Sequence, residues 1–96
     1  MSQSEPRRIR LSEAVCAFVP TMSDAHAVAS HIVLTFGLET VVGFNKSSRG
    51  EGYVFVDPAV DISSVVTEVT GSKPLRVVSW TDIENEPDGY GVPQDT

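Results

Sequence analysis

Three groups of residues have the types and spacings from which chemistry is built. The first is Asn45-Lys46-Ser47-Ser48-Arg49-Gly50, where a Lys-Ser pair follows an apolar run. A phosphate-cradling loop would need glycines at positions 40 and 45, and the chain has Thr40 and Asn45 there, so that pattern fails. What is left is a loop with two cations, read either as a contact for an acidic partner or a phosphate group, or as a solvated hairpin loop. The second group is Glu84-x-Glu86-x-Asp88-Gly89 with Asp95 beyond it, an echo of a calcium-wrapping loop. Its first two carboxylates are the longer Glu, its last is the shorter Asp, and Pro87 and Pro93 interrupt it, so a solvated acidic segment is expected and no metal. The third group is Cys16, His26 and His31. A separation of five turns the histidines about 140° apart on a helix, a poor metal pair. Cys16 lies inside an apolar run, where a small buried filler is expected and a nucleophile is not. The turn Pro20-Thr21-Met22-Ser23 carries no base to hold an anion, and no nucleophile elbow is present, so catalysis and cofactors are not expected.

The elements that must position these groups are short. Residues 14–19 (AVCAFV) stop at Pro20 and suit a buried strand. Ala25, Val28, Ala29, Ile32, Val33 and Phe36 then fall on one helical stripe, with Thr21 or Ser23 as cap and Gly37 as terminator. Residues 40–44 (TVVGF) and 52–56 (GYVFV) read as a hairpin around Asn45–Glu51. Asp57-Pro58 supplies a cap and first-turn proline, with Asp61 as the alternative cap, for a second stripe of Ile62, Val65, Val66 and Val69 ending at Gly71. Residues 75–81 (LRVVSWT) form the last strand. The order βαββαβ predicts an α+β fold, the ferredoxin-like plait: a four-stranded antiparallel sheet with two helices on one face.

Ala17, Val19, Val54, Val56 and Val77 would line that helix-covered face. Alternation then turns Phe18, Tyr53, Phe55 and Trp80 to the other side. Something is expected to cover so many aromatics.

The 96 residues carry seven Lys and Arg against thirteen Asp and Glu, a net charge of −6, with 41% hydrophobic residues and one cysteine. That length predicts one domain with a modest core. One cysteine excludes an intrachain disulfide and any multi-cysteine zinc site. No stretch approaches ~18 apolar residues, so no membrane helix is expected. No apolar run follows the charges of MSQSEPRRIR, so a cytoplasmic protein is expected. The charge is unevenly spread: +2 over residues 1–10, −3 over 11–81 and −5 over 82–96. Residues 1–8 are therefore expected as a flexible N-terminal arm, 9–82 as the domain and 83–96 as a flexible acidic tail. Two other readings of the tail stay open: a charged peptide ligand anchored by Ile83, Tyr90 and Val92, or a segment folded back over the aromatic sheet face.

Arg49-Gly50-Glu51-Gly52-Tyr53-Val54-Phe55-Val56 on the third strand resembles the long signature of the RNA-recognition motif. Arg49, Gly50, Gly52 and Val54 match it, and Tyr53 stands at a base-stacking position. Phe18 falls where a second stacking aromatic belongs on the first strand. The resemblance implies single-stranded RNA bound by stacking on Phe18 and Tyr53, aided by Arg49. Glu51 and Val56 depart from the signature, and the acidic balance opposes phosphate binding.

Three functions follow as expectations. The first is a non-catalytic protein-binding module that docks through Phe18, Tyr53, Phe55, Lys46, Arg49 and Glu51. It would serve as adaptor, subunit or small acidic inhibitor of the phage or mobile-element kind, meeting a basic nucleic-acid-binding surface by charge mimicry. The second is a degenerate RNA-binding domain. The third is a small-molecule sensor holding its ligand near Pro20–Asp24 or at a dimer interface.

Overall fold

The computed structural model describes residues 13–92. The expected arm at 1–8, with Arg7 and Arg8, and the last four residues, with Asp95, lie outside that span. β1 (Val15–Val19) leads into α1 (Met22–Phe36), then a 3-10 turn at Leu38–Thr40 and the hairpin of β2 (Val41–Lys46) and β3 (Gly52–Val56). α2 (Ile62–Thr70) and β4 (Arg76–Ser79) follow, and the chain goes on into α3 (Trp80–Asn85) and the single turn α4 (Pro87–Tyr90). The fold is α+β, with an open antiparallel sheet in the order β2-β3-β1-β4.

Local chemistry explains where the helices begin. The Thr21 hydroxyl accepts from the Asp24 N–H at 3.1 Å and starts α1, so Thr21 and not Ser23 is the cap. Asp61, not Asp57, caps α2, accepting from the Ser64 N–H at 3.3 Å. Asp57-Pro58 instead opens a turn in which the Asp57 carboxylate accepts from the Ala59 N–H at 2.9 Å. A proline placed before a second, better cap is spent on that turn.

Ala17, Val19, Val54 and Val56 meet Ala25, Val28, Ala29 and Ile32 of α1 and Ile62, Val65 and Val66 of α2 in one core. Full burial of each of the larger side chains stabilises the fold by about 1.5–3 kcal/mol. Gly52 keeps the entry of β3 against α1: a Cβ there would stand 2.7 Å from that of Ala25. Val77, expected in this core, is exposed on the edge strand β4, which a groove lined by Ser63, Thr67, Glu68, Pro74 and Leu75 separates from α2. Val33 is half-buried and Phe36 exposed, though both belong to the stripe. Both belong to the last turn of α1, at its C-terminal end.

Candidate functional site

The sheet face away from α1 and α2 carries Cys16, Phe18, Tyr53, Phe55 and Val78, as the alternation predicts, and it is not open. The chain leaves β4 at Ser79, whose hydroxyl accepts from the Asp82 N–H at 3.2 Å and caps α3. That cap turns Trp80 and Thr81, expected to extend the strand, into a helix that doubles back over the face. Ile83 and Val92 bury themselves against Phe18 and Tyr53, with Trp80 and Tyr90 packed beside them. The expected flexible tail from residue 83 is thus corrected for residues 83–92. The cap and three well-spaced apolar anchors supply the burial that composition alone hides. Folding back over the aromatic face, the third reading of this segment, is the arrangement seen.

Each candidate residue then has a defined place. Phe18 is wholly buried and its ring centroid lies 5.6 Å from that of Tyr53, which is also buried. The row continues through Phe55 (5.0 Å from Tyr53) to Trp80 (4.8 Å, edge-on), while Tyr90 stacks on Phe18 at 6.4 Å. Tyr90 and Ile83 hold the space that an incoming base would need, so no stacking platform is exposed in this conformation. Arg76, which pairs with Phe18 across β1 and β4, lays its guanidinium 4.4 Å over the Phe18 ring and forms an ion pair with Glu51. Glu51, a departure from the RNA-binding signature, therefore has a structural partner in Arg76.

The hairpin loop is a clasp. The buried Ser47 hydroxyl accepts from the Arg49 and Glu51 N–H groups at 3.1 and 3.2 Å, which folds the loop on itself. The Ser48 hydroxyl donates to the Gly91 carbonyl at 2.8 Å, and Arg49 donates to the Asp88 and Gly89 carbonyls at 3.1 and 2.6 Å. Gly91 adopts φ 79°, and a Cβ there would come within 3.0 Å of the Arg49 side chain, so the contact needs glycine on both counts. The Arg49 cation, read from sequence as a contact for an acidic partner or a phosphate group or as part of a solvated loop, is turned onto the protein's own backbone. Lys46 stands apart from this group, exposed at the end of β2.

Burial pushes the Cys16 thiol up, opposed in part by the Arg76 charge, and burial likewise raises the Tyr53 phenol. Neither group is activated for nucleophilic chemistry by such a setting. Among the described residues no group of three or more His, Cys, Asp or Glu is placed to hold a metal, and no helix is long and apolar enough to cross a membrane.

The surface that sequence reasoning missed lies at the other end of the sheet. At the C-terminal end of α1, Leu34 is 87% exposed, Leu38 just beyond it is 73% exposed, and Val42 and Phe44 of the edge strand β2 are also exposed. With His26, Ala29, Ser30, Val33, Val41 and Gly43 they line an apolar groove between α1 and β2. The His26 ring stands edge-on to Phe44 at 5.4 Å. The available signal was Leu34, a leucine off the apolar stripe of an otherwise amphipathic helix. Comparison with known proteins finds no matching family model, no matching curated protein and no matching solved structure.

Proposed function

We propose that the protein is a non-catalytic protein-binding module, built on a ferredoxin-like plait, that docks through the groove between α1 and β2. The observation that carries this reading is the exposure of Leu34 and Leu38 beside an edge strand. Leucines so bare stand at about 1.5–3 kcal/mol each below what they gain when buried, a cost that a partner removes. The aromatic face is set aside as the docking site because the C-terminal segment occupies it. Affinity capture from the source lysate, with and without nuclease, tests the reading. A nuclease-resistant partner held by the wild type and lost from Leu34→Glu/Leu38→Glu supports it; capture that is identical for the two proteins overturns it.

A second reading rests on a separate observation. Asp82, Glu84, Glu86 and Asp88 are all exposed along α3 and α4. Such a row favours a basic partner, as in a small acidic inhibitor of the cytoplasm that mimics nucleic-acid charge. A complex of this kind weakens steeply as salt rises.

A further inference from the structure

We infer that the groove between α1 and β2 is occupied by a second copy of this chain, in a two-fold dimer. The inference rests on the reading that this groove docks protein, and it names the partner. Leu34, Leu38, Val42 and Phe44, exposed as they are, leave on the order of 400 Å² of surface bare, as large as the main patch of an ordinary monomer and about half of the roughly 800 Å² that each partner buries in a stable pair.

The shape of the patch fits itself. Leu34 and Leu38 stand out as knobs at the C-terminal end of α1. Beside them lies a notch lined by the small residues Ala29 and Ser30 of α1. A surface that carries its own knob and its own hole side by side satisfies the requirement of an isologous interface, in which the same patch is presented by both partners.

The charge of the patch selects the same occupant. The chain carries a net charge of −6, yet among the described side chains that line the groove none is Asp or Glu, and His26 is the one ionisable residue. These described side chains offer a basic protein no carboxylate, and they set no acid against acid when two copies meet. Sheet extension is not the mode of contact. β2 is irregular between Val41 and Gly43 and ends in Lys46, two features that blunt an edge against strand addition. The contact is made by side chains, Leu34 and Leu38 of each copy seated in the notch of the other.

Sedimentation equilibrium of the full chain over about 1–500 μM, with circular dichroism to verify folding, decides the matter. The wild type is expected to sediment as a dimer, and Leu34→Glu to weaken association by more than ~100-fold, since the two-fold axis counts each lost leucine twice. Leu75→Glu, on the far edge of the sheet, is the folded control and leaves the dimer intact. A wild type that stays monomeric, or a dimer that Leu34→Glu does not touch, overturns the inference. In the monomeric case, a lysate partner lost from Leu34→Glu/Leu38→Glu preserves the docking reading, whereas unchanged capture removes that as well.

Discussion

Cys16 and Tyr53 share the sheet face beneath α3 and Val92, and both hold their protons more tightly than the unfolded chain does, because burial opposes the thiolate and the phenolate. Their ordinary values are 9.0 and 10.0. Above those values the unfolded chain releases protons that the native chain retains, so stability falls as pH rises. The contribution is complete below about pH 9 and is lost progressively above it. Urea midpoints are therefore expected to decline between about pH 9 and pH 11, and Cys16→Ala to remove the earlier part of the decline. A wild-type profile that is flat to pH 11 would contradict the buried placement of both groups.

At the scale of the element, the C-terminal segment completes the fold by giving the sheet its second layer. Ile83 is fully buried, and Ile83→Ala is expected to cost about 2–4 kcal/mol in urea denaturation, followed by the fluorescence of Trp80, the one tryptophan. Arg49→Ala removes two bonds to exposed carbonyls and should cost about 1 kcal/mol. A cost below about 0.5 kcal/mol for Ile83→Ala would mean the segment does not pack in solution as described. The strands and α1 were legible because periodicity is local: alternation placed Phe18, Tyr53 and Phe55 on one face, and a stripe of Ala25, Val28, Ala29 and Ile32 made the helix. What covers that face was not legible. The composition of residues 82–92 points to solvent, and only the register of β4 against β1 reveals that Arg76 and the segment after it land on Phe18. The exposed groove was hidden for the same reason, since the sequence shows α1 and β2 separately but not that they lie side by side with Leu34 and Phe44 left bare.

For the whole molecule, the decisive quantity is charge and its placement. With −6 on every copy, long-range forces oppose self-association, and the acids of α3 and α4 lie on the sheet face opposite α1. Salt separates the two docking modes because it acts on them with opposite sign. Raising ionic strength from about 0.01 M to about 0.15 M shortens the screening length from about 30 Å to about 8 Å. Repulsion between two acidic copies fades, the apolar contact of Leu34 and Leu38 is unaffected, and the dimer is expected to tighten severalfold. A complex between the carboxylates of Asp82, Glu84, Glu86 and Asp88 and a basic partner would lose affinity over the same range. Glu84→Gln/Glu86→Gln sharpens the comparison, since it should strengthen dimerisation in low salt and leave it nearly unchanged in high salt. Sedimentation at the two ionic strengths, wild type against this double variant, reads both effects. Association that weakens with salt would show that charge pairing, not the groove, holds the copies together.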